Sequence, residues 1–180
     1  MADKLNVAKM FIMLFSRNED NSLTNLKLNK LMYFAQGVQL SRTQKPLFDD
    51  VIEAWPLGPV IPSVYHSYKI YGSNPIEFDG VGVPGDVFSP DELESILDVY
   101  REIGQYTARR LVDMTHKPGT PWEAADRLGQ TTISQASIQD YFTRNPVARF
   151  SIGSATELVT ELPADWYDPA EDAEWEAYLE

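Results

Sequence analysis

The chain has 180 residues, 43% of them hydrophobic, which supports a domain with its own core and excludes a disordered polyelectrolyte. It contains no cysteine, so disulfides, thiolate metal sites and cysteine nucleophiles are all removed as explanations. The net charge of −12 is uneven: every Lys and Arg lies within residues 1–149, and the carboxylates beyond them have no basic neighbour, so phosphate would be repelled and nucleic acid is not an expected partner.

The N-terminus, Met1-Ala2-Asp3-Lys4, shows no cleavable leader, and the apolar run Met10–Phe15 is too short to span a bilayer. The expected location is therefore the cytoplasm, with no membrane contact. Asp3 to Arg17 reads as a helix with Leu5, Ala8, Phe11, Ile12 and Phe15 on one face. A polar break follows at Asn18–Ser22. Thr24 then caps a second helix that fades near Ser41. Its apolar stripe is Leu28, Leu31, Met32, Ala35 and Val38, with Phe34 on a second buried flank and Lys27, Lys30 and Gln39 on the wet side. Val51–Trp55 suits a short strand, which Pro56-Leu57-Gly58-Pro59 stops. Pro62 opens a helix carrying Tyr65, Tyr68 and Tyr71, with Gly72 as its stop.

Residues 73–88 read as a loop with room for a short hairpin. Ser89-Pro90-Asp91-Glu92 has the form of a capping box, and Leu93, Ile96, Leu97, Tyr100 and Ile103 follow at helical spacing until Gly104. Thr107 caps the next helix, Lys117–Pro121 is a rigid loop, and short helices are expected over Trp122–Leu128 and from Ser134 to Phe142. The predicted fold class is mainly α: a single compact helical domain over residues 1–150 with one or two short β-strands. An acidic, aromatic-containing C-terminal extension, residues 151–180, is appended to it.

Two blocks carry a resemblance. Residues 23–72 hold Lys30-Leu31, Tyr33 and Ala35-Gln36-Gly37. Pro46-Leu47-Phe48-Asp49-Asp50 follows with Ile52 and Ala54-Trp55, and then Gly58-Pro59-Val60. Residues 111–142 hold Thr115-His116 and Pro121-Trp122. In this order and spacing the chain, over roughly residues 5–143, resembles the Panacea domain family, also called SocA-like antitoxins. The resemblance implies an antitoxin that neutralises a cognate protein toxin by direct binding. It also admits a proteolytic adaptor that delivers a bound protein to a AAA+ protease, or an accessory protein of a phage or mobile element. A DNA-binding regulator is the least favoured reading. The same domain is paired with unrelated toxins, so the fold does not name the partner.

No catalytic constellation stands beside this. His66 and His116 are the only histidines, a poor start for a zinc site, and His116 before a Pro-Gly loop is read as loop-fixing. Asp49-Asp50 and Glu53 suit a surface turn better than a divalent-ion site. No catalytic residue, cofactor or metal is expected. Binding by aromatic side chains is expected instead, because rings bring contact area at modest entropic cost. Trp55 reads either as a core residue at a strand end or as part of a binding lip, and Tyr65 and Tyr68 either as core or as interface. In the extension, Trp166, Tyr167, Trp175 and Tyr178 stand among carboxylates, where a purely solvating tail would carry few aromatics. The partner-contact residues expected are Trp55, Tyr65, Tyr68, Trp166 and Trp175.

Overall fold

Asp3 accepts hydrogen bonds from the amides of Leu5 and Asn6 and so starts α1 (Lys4–Phe15). Thr24 does the same for Lys27 at the head of α2 (Asn25–Thr43). A hairpin follows, β1 (Glu53–Trp55) and β2 (Gly58–Val60), then α3 (Pro62–Tyr68) and a 3-10 turn (Lys69–Tyr71). The remaining helices are α4 (Pro90–Ile103), α5 (Ala108–Thr115), α6 (Pro121–Arg127) and α7 (Gln135–Arg144). This is a computed structural model, and it describes residues 1–17, 23–84 and 86–147. The polar break at Asn18–Ser22 and the extension over 151–180 lie outside the described residues. Among the described residues the fold is mainly α with one two-stranded sheet. No helix among the described residues is long and apolar enough to cross a membrane.

Helix starts follow local chemistry. Ser89 and Glu92 form a reciprocal capping box, while Thr107, Thr120 and Ser134 each accept from the amide three residues on. Each such cap is worth about 1 kcal/mol.

α2 is the axis of the fold: α1, α3, α4, α5, α7 and β2 all pack on it. Its inner surface meets α7 at Gly37, where a Cβ would lie 2.2 Å from the ring of Phe142. Phe142, Tyr33 and Phe34 then close edge-to-face around one another, with centroids 5.5–5.8 Å apart. The core continues through Phe11, Leu28, Leu31, Ile96, Val99 and Leu111, all fully buried.

Enclosure of α2 corrects the sequence reading of its polar residues. Spacing puts Lys27, Lys30 and Gln39 on a wet side, but they are 2%, 0% and 4% exposed. A helix wrapped on every flank has no wet side, and its polar groups must find partners inside. The helix also runs on to Thr43, where Gln44 takes a left-handed conformation and caps it. A second correction concerns Pro56–Pro59. Pro56 does end β1 at Trp55, but the stretch also turns the chain back, and Gly58-Pro59 belongs to a return strand that the spacing does not suggest. Glu53 faces Val60, Ala54 faces Pro59 and Trp55 faces Gly58. Pro59 is tolerated because the Ala54 amide is used on the other edge, by the Thr131 carbonyl. Ile133 pairs with Ile52 on the same edge, which covers it.

Candidate partner-binding surface

The buried polar residues of α2 hold the segment that builds the site. Gln36 accepts from the amides of Leu47 and Phe48 through Oε1 and donates to the Phe48 carbonyl through Nε2. Asn29 accepts from the Ile61 amide, and Asn25 donates to the Tyr65 carbonyl. Lys30 Nζ donates to the Pro59 carbonyl at 2.8 Å. Residues 47–65 are thus laid along α2 by side chains that could not have been left unpaired, since an orphaned buried polar group costs about 1–3 kcal/mol. Desolvation lowers the Lys30 ammonium to a pKa of about 7 and Lys27 to about 8. Lys27 Nζ lies 4.7 Å over the ring of Phe15.

The hairpin tip is fastened from a second side. The Trp122 indole N–H donates to the Trp55 carbonyl at 2.8 Å, and His116 Nε2 lies 3.1 Å from the Pro56 carbonyl. His116 Nδ1 is 2.7 Å from the Val112 carbonyl, and the imidazole sits against the Trp122 ring with centroids 3.6 Å apart. Both ring nitrogens therefore face carbonyl oxygens. A neutral imidazole can donate to one of them, an imidazolium to both. Gly58 has φ +100°, and a Cβ there would meet Thr115 Oγ1 at 2.7 Å and Lys30 Cε at 3.0 Å. The tip is a rigid lip, its Pro59 and Trp55 carbonyls held from α2 and α6, with His116 at the end of α5 packed against it.

Beneath the lip runs a groove of about 350 Å³. Leu26, Leu57 and Val112 give it an apolar lining, and Pro56 and His116 also line it. Arg109 and Asp113, paired at 3.3 Å and roughly half exposed, stand at its edge.

The structure brings Trp55 and Tyr65 together, with centroids 5.0 Å apart. Trp55 is half-buried, neither wholly core nor wholly free, and its indole N–H donates to Glu53 Oε2. Tyr65 is 8% exposed and spends its ring on Trp55 and His66, so it props Trp55. Tyr68 lies half-buried one turn on, where burial, followed by Asp79 and Tyr71, raises its phenol. Tyr71 falls in the 3-10 turn and leaves the α3 face. Trp166 and Trp175 lie outside the described residues. Asp50 is engaged by Lys4 and Ser63, and Glu53 by Trp55, so the acidic turn is structural. Among the described residues no group of three or more His, Asp or Glu is arranged to hold a metal ion.

Sequence reasoning missed the groove and the buried lysines. The groove joins Leu26, Leu57 and Val112, which no local spacing connects. The lysines had one signal available: the polar side chains Asn25, Asn29 and Gln36 recur on α2 as an inner face would, and Lys30 stands beside them.

Comparison with known proteins bears on what this surface is for. The family described as antitoxin SocA-like, Panacea domain, matches residues 28–123. Antitoxin SocA of Caulobacter vibrioides (strain NA1000 / CB15N) is 34% identical over 113 residues, covering 58% of this chain and 60% of that protein. The chain thus spans about three fifths of the length of that relative. No solved structure matches the chain.

Proposed function

The chain belongs to the SocA-like antitoxin, Panacea domain family, and on that premise we propose that it is an antitoxin that neutralises a cognate protein toxin by direct binding, with the Trp55 lip and the groove beneath it as the contact face. The observation that supports this reading is the immobilised lip. Two backbone carbonyls around the turn, those of Trp55 and Pro59, accept hydrogen bonds from Trp122 and Lys30, and His116 Nε2 lies 3.1 Å from the Pro56 carbonyl between them. Rigidity of this kind lowers the entropic cost of association, and a half-buried tryptophan directly preceding Pro56 and Leu57, which line the apolar groove, has the make-up of an interface anchor.

Co-expression with a neighbouring reading frame that is toxic alone tests the reading. The wild-type chain should restore growth and co-purify with the toxin. Trp55→Ala should weaken the complex by roughly 30-fold or more, as loss of an anchor worth about 2 kcal/mol requires, with the circular dichroism spectrum unchanged. Rescue without a complex, or full affinity in Trp55→Ala and in Val112→Glu, would overturn it.

A further inference from the structure

One of the groups packed against the lip is titratable. Both nitrogens of the half-buried His116 ring face backbone carbonyls, Nδ1 that of Val112 at 2.7 Å and Nε2 that of Pro56 at 3.1 Å. Histidine is the side chain whose unperturbed charge change falls between pH 5 and 8, and only its charged form donates from both nitrogens. We propose that protonated His116 is a clasp between the end of α5 and the hairpin turn, and that loss of its proton frees the Pro56 carbonyl and loosens the lip. This gives the contact face assigned above a pH-dependent hold, and its bearing on a toxin rests on that reading.

The two contacts are unequal, and the inequality selects the one that gives way. A neutral imidazole keeps one N–H. On the Val112 side the contact is shorter, and the carbonyl belongs to a buried residue within a helix. A bare Nδ1 there would set its lone pair against an oxygen that cannot turn away, so the proton stays on Nδ1. On the other side Pro56 is exposed, and its carbonyl can turn to water once Nε2 stops donating. Lone pair then faces lone pair across 3.1 Å, so the turn shifts or a water enters. Leu57, next in the chain, is the groove wall that the turn supplies, so the change reaches the contact face.

The charged groups on the surrounding elements do not replace this clasp. On α5, Arg109 and Asp113 pair with each other; on α6, Glu123 accepts from the Gly119 amide and pairs with Arg127. Glu53 of the hairpin accepts from the Trp55 indole, and exposed Lys117 follows His116 in the chain. On α2, Lys27 lies over the Phe15 ring and Lys30 against the Pro59 carbonyl. Lys30 titrates nearby, lowered by burial to about 7. An amine that loses one proton still has N–H groups for Pro59, whereas Nε2 has none left for Pro56. His66, the other histidine of the chain, packs edge-on to Tyr65.

Nitrogen NMR of the full chain, titrated from about pH 5 to about pH 8 with no toxin present, tests the clasp. The neutral ring of His116 should be the Nδ1–H tautomer. The Leu57 amide nitrogen shares a peptide group with the Pro56 carbonyl, and its signal should shift with the same midpoint as the His116 ring. His116→Phe keeps a ring against Trp122 and should abolish the Leu57 shift, while His66→Gln and Lys30→Met should leave it in place. An Nε2–H tautomer, a Leu57 signal that stays put while the ring titrates, or a shift that survives in His116→Phe would overturn the proposal, and the first two are read on the wild-type chain. With the toxin, the wild-type complex should weaken across the same range by roughly fivefold more than the His116→Phe complex, as loss of one hydrogen bond implies; equal weakening would overturn the link from clasp to contact face. The titration without toxin stands or falls separately from the neutralisation assay.

Discussion

Gly37 shows how little room a family motif can leave. The ring of Phe142 lies where its Cβ would be, 2.2 Å away, and that ring is itself held by Tyr33 and Phe34. Gly37→Ala should therefore force either the ring off its rotamer or α7 off α2, at a cost of about 1–3 kcal/mol. The gain in helix propensity, about 1 kcal/mol, offsets only part of that. Urea unfolding should show a lower midpoint with an unchanged slope, and a midpoint equal to or above wild type would refute the packing account. Gln36, next along the chain, does the opposite and reaches outward, satisfying three backbone groups of Leu47 and Phe48 at once. Neither residue reads as functional once placed. The motif identifies the family because it builds the platform on which the lip stands.

At the scale of elements, the starts of helices were legible because capping is local. Thr24, Ser89, Thr107 and Ser134 each act within one turn of where they stand. The hairpin was half legible. Val51–Trp55 has strand character, but the return strand contains Pro59, and what makes it possible is an outer partner at Thr131, far along the chain. The groove was not legible at all, since its walls come from α2, the β-turn and α5. What the hairpin does depend on can be tested through Trp122. Trp122→Phe keeps a ring against His116 but removes the indole N–H that reaches the Trp55 carbonyl. The loss of one hydrogen bond at a partly buried site is worth about 1 kcal/mol. Amide exchange at Trp55 and Leu57 should accelerate by roughly fivefold, as that energy implies, while exchange in α4 stays as it was. Equal acceleration in both would mean that Trp122 supports the whole core and not the lip.

The molecule as a whole carries a charge that its interior resists. Lys27 and Lys30 lie on one axis helix, both buried, and both are ordinary lysines with a pKa of 10.5 once unfolded. Their folded values of about 8 and about 7 mean that the unfolded chain binds more protons between those limits. Stability must then rise with pH across this window, by up to about 1.4 kcal/mol per pH unit for each lysine. It is lowest, as far as these groups go, at and below pH 7, where both states are protonated. Two effects oppose the rise. Deprotonation makes a chain of net charge −12 more negative and increases self-repulsion. Tyr33, whose phenol is pushed up by burial and then by Tyr141, begins to cost stability above about pH 10, where the unfolded phenol ionises. Repulsion among exposed charges is screened by salt and the buried terms are not, so at moderate ionic strength the lysines should win between pH 7.5 and about 9.5. Urea midpoints measured across that range should climb in the wild type. Lys30→Met should flatten the climb: it removes the buried ammonium, and although the Pro59 carbonyl loses its donor, that loss is the same at every pH. A wild-type curve that is flat or falling over this range would mean that both ammonium groups stay charged within the fold, and that the enclosure of α2 is looser than its packing indicates.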